Sequence, residues 1–426
     1  MVRTITIIII STLAWVASTA HGKQLSDRKP VAIITELIDN ADTSDVVRIP
    51  AGGYEGNLVI RKTVVLDGID GAVFDGLGEG TVIEVLADGV TIRNCTIRNS
   101  GIDVTGEPAA IRVIAADAVI ESNTIQESLF GIDLRESPNA IIRDNSIACK
   151  DLDTGRRGDG IRLWWSHGCL VEGNKVLSSR DMVFWYSEDL LIRKNVVKES
   201  RYGLHFMYSH GSVLEQNVLL NNSVGVYLMY SNGITLRENR MSNNRGASGY
   251  GIGLKDCDDI IIVGNALLAN RVGVYLDNSP SSIGSTGLFE SNMIAFNEIG
   301  LLATPNTHDN VFTNNAFIEN EEPAATHGRG QLMSNSFSLD GRGNYWSDYA
   351  IEFTSRALPE LRPKPTLIDP SPLAMPPEIR LDLAATGNRA GPMLLLAISM
   401  LTVAAGLIVY MATEPNLRSS HTGDRS

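Results

Sequence analysis

His205, Met207, Met229 and His210 are the residues whose types and spacing suit chemistry with a soft cation. His205 and Met207 lie two apart in Gly203-Leu-His-Phe-Met-Tyr-Ser-His, and Met229 falls in the next copy, Gly225-Val-Tyr-Leu-Met-Tyr-Ser-Asn. Imidazole and thioether donors together favour Cu(I) over harder ions, and two Met plus one His on adjacent copies give the needed reach. Two earlier copies, Gly160-Ile-Arg-Leu-Trp-Trp-Ser-His and Asp181-Met-Val-Phe-Trp-Tyr-Ser-Glu, put Arg162, Trp164, Val183 and Trp185 at the matching positions. The copies follow one another at 21, 22 and 22 residues.

Such donors need a scaffold that returns the same column of side chains at every copy. Short period-two apolar segments separated by Gly, Asn and Ser read as strands. Strands this short, returning this regularly, wind as coils of a parallel β-helix, an all-β solenoid. A second signature is an Asn typically flanked by apolar residues three before and two after. It recurs at Asn94, Asn123, Asn145, Asn174, Asn195, Asn217, Asn239, Asn265, Asn292, Asn315 and Asn335. Stacked amides hydrogen-bond along a column, so this row is architectural and not catalytic.

Strand alternation sorts the copies into two faces. Leu204 and Phe206 take the recurring apolar positions and point inward, which turns His205 and Met207 outward. Their Cα atoms are then roughly 6–7 Å apart, and the next coil, ~4.8 Å away, sets Tyr227 over His205 and Met229 over Met207. The expected outer patch is Arg162, Trp164, Val183, Trp185, His205, Met207, Tyr227 and Met229, reverting to polar at Lys255 and Asp277. Trp165, Tyr186, Tyr208 and Tyr230 are expected to turn inward at a corner as stacked core aromatics. His167, Glu188, His210 and Asn232 share one turn position, where His210 supplements the metal donors. Loops 150–158 and 246–250 precede patch strands and are expected to overhang the same face.

An outward cluster of Trp and Met needs a ligand or partner to cover it. Arg162, Trp164, Trp185 and Tyr227 are accordingly assigned to partner docking, a role that suits an aromatic and methionine surface. An alternation shifted by one residue would instead make all of these core. A polysaccharide lyase, epimerase or carbohydrate-binding β-helix is the rival class, with Arg162, His205 and Tyr227 acting on a uronate. A glycosidase, however, needs paired carboxylates, and the outward columns between Arg162 and Met229 hold none; Asp159 and Asp181 read as turn formers at strand starts. A scaffold protein without metal is a third reading.

The net charge of -13 argues against nucleic acid as a partner. Residues 1–20 read as a signal peptide, with Arg3, an apolar run from Ile5 to Val16 and small residues ending at Ala20. The β-helix is expected over residues 24–350. A capping helix at 31–41 should bury Ile34, Leu37, Ile38 and Ala41, and the opening coils are read at Val47–Ile49, Leu58–Ile60 and Val64–Leu66. Gly343-Asn-Tyr-Trp-Ser-Asp-Tyr349 is expected to close the last coil. Residues 351–389 form a Pro-rich extended linker, Ala390–Ala412 an uncharged stretch long enough to span a bilayer as a C-terminal anchor, and 413–426 a polar tail. Cys95, Cys149, Cys169 and Cys257 are too scattered for a disulfide framework, although a Cys149–Cys169 bridge stays open beside the reading as buried thiols.

From about Val31 to Leu373 the chain resembles the NosD-type periplasmic accessory proteins of nitrous-oxide reductase maturation. The resemblance is carried by Gly203-Leu-His-Phe-Met-Tyr-Ser209, Val226-Tyr-Leu-Met-Tyr-Ser231, the Asn coils, the Gly-Asn-Tyr-Trp-Ser-Asp-Tyr turn and Leu367-Ile-Asp-Pro-Ser-Pro-Leu373. It implies a right-handed, pectin-lyase-like β-helix with no turnover of its own. It also implies work beside the membrane and ATPase subunits of an ABC transporter. Copper would come from a periplasmic chaperone and pass to apo nitrous-oxide reductase for its copper–sulfur cluster, with His205, Met207 and Met229 as the transient contacts.

Overall fold

The computed structural model describes residues 28–379, apart from residue 70 and residues 329–331, 351–360 and 365–366. Each coil contributes three short strands. Leu191–Arg193, Val196–Lys198 and Tyr202–Met207 form one such set, and every copy pairs in parallel with the equivalent strand of the coils above and below. The result is a parallel β-helix with three long sheets. A front sheet of 12 strands runs from Leu58–Ile60 to Glu322–Thr326, a middle sheet of 12 from Val46–Ile49 to Asn310–Thr313, and a back sheet of 14 from Arg28–Pro30 to Tyr345–Trp346. Alternation places one apolar residue of each short strand inward, and these merge into a single core with stacked phenylalanines such as Phe289 on Phe312 at 4.5 Å.

The corners are built by one device used three times. A residue in the left-handed region turns the chain, and the next residue points a polar side chain inward. Between the front and middle sheets, Trp165, Tyr186, Tyr208 and Tyr230 have φ of 49 to 53°. They are followed by Ser166, Ser187, Ser209 and Ser231, and each Ser hydroxyl accepts the backbone N–H of the Ser one coil earlier. Between the middle and back sheets the Asn ladder does the same work: the Asn195 backbone N–H and side-chain amide both donate to Asn217 Oδ1 at 3.0 Å. A third ladder, from Asn222 through Asn244, Asn270 and Asn297 to Asn320, joins the back sheet to the front. A non-glycine residue in this region costs about 1–2 kcal/mol, which the corner hydrogen bonds offset.

Two expected ladder members are displaced. Asn94 is itself a left-handed turn residue, with φ 58°. Its amide donates to Asp67, and Cys95 occupies the inward slot, giving its N–H to Asn123. Asn335 serves a separate short ladder under Asn310, while the main ladder runs from Asn315 to Asn344. All four cysteines are free and buried, so the Cys149–Cys169 bridge is absent.

The ends are closed by different means. The helix Ala32–Asn40 covers the first coil with Ile34 and Ile38; Leu37, expected to join them, is 43% exposed, because only the i, i+4 stripe reaches the coil. At the far end Tyr345–Trp346 pairs with Ala316–Ile318, and Trp346 stacks on Phe317 at 4.2 Å. The buried carboxylate of Asp369 accepts the N–H of Asn344 and the indole N–H of Trp346, both at 2.9 Å. The signal peptide and the Ala390–Ala412 span lie outside the described residues. Among the described residues no helix is long and apolar enough to cross a membrane.

Replacing Asn217 with Ala deprives Asn195 of its acceptor and removes the donor to Ile192 O and Asn239 Oδ1. The expected loss is about 2–4 kcal/mol, read as a lower urea midpoint; an unchanged midpoint would reduce the ladder to a shape-filling role.

Candidate functional site

The front sheet carries the unusual side chains, and its register is the expected one. His205 pairs with Tyr227 and Met207 with Met229, while Val183 with Trp185 and Arg162 with Trp164 lie on the coils before. Leu204 and Phe206 are fully buried in the core, so His205 and Met207 face outward. Beyond Met229 the column continues as Lys255 and Asp277, which approach at 3.9 Å.

Outward does not mean open. Met207, Met229, Trp185 and Tyr227 are half-buried and Trp164 is exposed, but His205 is only 5% accessible. Its ring meets Tyr202 edge-on at 4.9 Å and Trp185 at 6.5 Å, and lies nearly parallel to Tyr227 at 6.4 Å. Nδ1 approaches Asp181 Oδ2 at 3.2 Å, while Nε2 is buried without a hydrogen-bond partner among the described residues. The indole N–H of Trp185 is likewise buried and unpaired.

Asp181 sits where the other three copies have Gly160, Gly203 and Gly225. Those glycines are demanded by close approach: a Cβ on Gly203 would lie 2.6 Å from Gly225 O. The ladder slips by one residue after Asp181, pairing it with Tyr202 and Val183 with His205. Tyr202 and His205 are therefore three positions apart where Asp181 and Val183 are two, and both stand on the outer face. Arg201 clamps the Asp181 carboxylate, and one coil earlier Arg180 holds Asp159 with two bonds of 2.9 Å. Burial and the neighbouring Asp181 charge push Asp159 up to about 6, against the pull of Arg180. Burial also opposes ionisation of Asp181, but the hydrogen bonds and charges of His205 and Arg201 outweigh it and hold the carboxyl below its usual range. These two carboxylates are thus more than turn formers, yet both are covered and already engaged.

His210 has the opposite arrangement from His205. Its Nδ1 accepts the backbone N–H of Asn232 at 3.1 Å, as His167 Nδ1 accepts that of Glu188 at 3.2 Å. A neutral ring so placed carries its proton on Nε2 and presents no free lone pair. Arg162 is outward-facing but 5% accessible. It pairs with Asp133 and Glu107, and Asp133 also holds Arg112 and Arg135. Burial pushes Asp133 up, but the Arg162 hydrogen bond and the three guanidinium charges prevail and keep it low. Arg162 therefore offers a partner little surface.

The column Trp165, Tyr186, Tyr208 and Tyr230 is not core. Trp165 is 47% exposed, and the four rings stack along the front–middle corner at 4.9, 5.2 and 4.9 Å. Their left-handed backbone ends the alternation, so the following Ser takes the inward place. Because the rings cover one another's faces, this strip presents ring edges and phenol hydroxyls. The insertions at 150–158 and 246–250 leave the coil together at the opposite, back–front corner, where Arg157 reaches Glu199 O at 3.2 Å. The middle sheet's outer face is occupied by Arg–carboxylate pairs such as Arg93–Asp67 and Arg193–Glu172. Among the described residues no group of three or more His, Cys, Asp or Glu could hold a metal.

A right-handed parallel β-helix with a sulfur and imidazole face on one sheet is the class that the fold and site define. Residues 146–351 match the family described as periplasmic copper-binding protein (NosD). The chain is 34% identical to a Pseudomonas aeruginosa protein named probable ABC transporter binding protein NosD, over 71% of this chain and 72% of that one. It is 30% identical to a Stutzerimonas stutzeri protein of the same name, over 74% of each. The chain belongs to the NosD family. The catalytic domain of an α-1,3-glucanase in complex with nigerose superposes with a TM-score of 0.50 at 12% identity, over 74% of this chain and 67% of that one, a likeness of fold alone.

Arg162→Ala takes the most buried guanidinium from Asp133 and Glu107, which keep Arg112 and Arg135, and is expected to cost about 3 kcal/mol. Trp165→Ala removes one ring of an exposed stack, for about 1 kcal/mol. Paired urea titrations check the contrast; equal losses would mean that the ion network contributes no more than the stack.

Proposed function

We propose that this protein is a periplasmic copper-handling accessory factor that presents Cu(I) through His205, Met207 and Met229 during maturation of nitrous-oxide reductase. The observation that carries the reading is the buried, unpartnered Nε2 of His205 in register beside two half-exposed thioethers. A nitrogen lone pair and two soft sulfurs on adjacent coils match the preference of Cu(I). Half-exposure of both methionines leaves the ion reachable, as cargo must be. The family's description as periplasmic and copper-binding supports the compartment and the metal. The relatives' name supports an ABC transporter as a partner, with a periplasmic copper chaperone as donor and the apo-reductase as acceptor. His210 enters only if its ring turns over and gives up the Asn232 contact.

On this reading Trp164 and the aromatic strip from Trp165 to Tyr230 dock partners, with Trp185 and Tyr227 walling the His205 ring. The C-terminal apolar segment Ala390–Ala412 would tether the β-helix to the membrane. No turnover is assigned: the acidic pair Asp159 and Asp181 is buried and salt-bridged, so neither carboxylate meets a sugar at the surface.

Anaerobic competition of the full-length protein against a coloured Cu(I) chelator tests the proposal. His205→Ala, Met207→Ala and Met229→Ala should each weaken binding by roughly tenfold or more, about 1.4 kcal/mol, and Trp164→Ala should leave it unchanged. Binding indifferent to all three donor changes would remove the copper role. Release of unsaturated uronates from alginate or pectate would overturn the non-enzymatic reading.

A further inference from the structure

We propose that Asp181 is a positioning residue for His205: its carboxylate holds the proton of the imidazole on Nδ1 and leaves Nε2 as a bare, buried acceptor. This rests on the copper reading for its purpose, but not for its geometry. Three N–H groups and one imidazole nitrogen converge on the Asp181 carboxylate. Arg201 gives Nε to Oδ1 at 3.0 Å and Nη2 to Oδ2, the Tyr202 backbone N–H reaches Oδ1 at 3.2 Å, and His205 Nδ1 lies 3.2 Å from Oδ2. An ionised carboxylate only accepts, so the Nδ1 atom in contact with it must donate. A neutral ring with its proton there has none on Nε2.

The environment of Nε2 completes the case. That atom is shielded from solvent and has no partner among the described residues, and the ring is flanked by Tyr202, Trp185 and Tyr227. A buried acceptor left empty is costly, and such a cost persists where a ligand is to be received. The carboxylate–imidazole contact is also the arrangement that fixes tautomer and ring orientation behind metal-binding histidines in general.

The preceding coil supplies an internal control. Asp159 is buried and clamped by Arg180 as Asp181 is by Arg201, but among the described residues no His Nδ1 contacts Asp159. A purely structural Asp–Arg pair predicts equal behaviour at the two sites; a positioning residue predicts a difference confined to Asp181.

The test uses full-length protein with 15N-labelled histidine, kept metal-free and anaerobic, with the His205 signals assigned by difference against His205→Gln. The unsubstituted protein should show a protonated Nδ1 and an unprotonated Nε2. Asp181→Asn should shift His205 toward protonation at Nε2 and weaken Cu(I) binding by roughly 10–100-fold, whereas Asp159→Asn should change neither. A protonated Nε2 in the unsubstituted protein, or a tautomer unmoved by Asp181→Asn, overturns the proposal, and the first measurement needs no Asp181 variant to fold. A tautomer that follows Asp181 while Cu(I) affinity ignores His205→Ala would sink the copper reading and leave the positioning role in place. Loss of Cu(I) binding in His205→Ala, with tautomer and affinity intact in Asp181→Asn, would do the reverse.

Discussion

The whole architecture depends on one recurring hydrogen bond, in which an inward oxygen on one coil accepts the backbone N–H at the corner of the coil before it. A parallel β-helix must reverse direction three times per turn, and every reversal exposes peptide groups to an apolar interior. Leaving them unpaired would be prohibitive. Ser at one corner and Asn at the other two solve the problem with side chains short enough to stay inside the turn. The left-handed residues that precede them are tolerated because the bond beyond them fixes the geometry. Sheet register follows from this, since stacked corners leave no freedom for strands to slide.

The rigid register then determines what the front sheet can present. Columns form because each coil must place its side chains over those of its neighbour, so a two-residue difference within a strand and a one-coil step between strands define a fixed grid. His205, Met207 and Met229 occupy three points of that grid. Among the described residues of the front sheet, the departure is the slip beside Asp181, where a carboxylate replaces the glycine of the other copies. That irregularity brings an acidic group from outside the strand's regular alternation to the imidazole. The site therefore combines a periodic component with a local exception.

The periodic component was the readable part. Leu204 and Phe206 marked the inward face, and His205, Met207, Tyr227 and Met229 fell where alternation put them. Reading failed at the ends of strands, because alternation has no authority over a residue with positive φ. Trp165 and its three stacked successors looked like core aromatics but lie outside, and the following Ser column lies inside. Asn94 misled for the same reason: the flanking isoleucines, Ile92 and Ile97, centre on Cys95. The ion pairs of Arg162, Arg201 and Asp181 were harder still, since each bridges coils through long side chains. A signal for Asp181 did exist in its place in the glycine column. Its partner could be named only once the register slip was visible.

The carboxylate of Asp369 has a consequence for how such molecules behave at high concentration. In the middle–back ladder each amide accepts from the coil before and donates to carbonyl and amide oxygens, so any terminal Asn would offer a fresh donor to whatever stacked next. The Asp369 side chain supplies the acceptor that Asn344 needs and has no N–H to pass on. The series is thereby chemically terminated rather than merely covered. A parallel solenoid with an unfinished end is half of a fibre, able to extend by recruiting another copy in register. One carboxylate in place of one carboxamide turns that growing tip into a dead end.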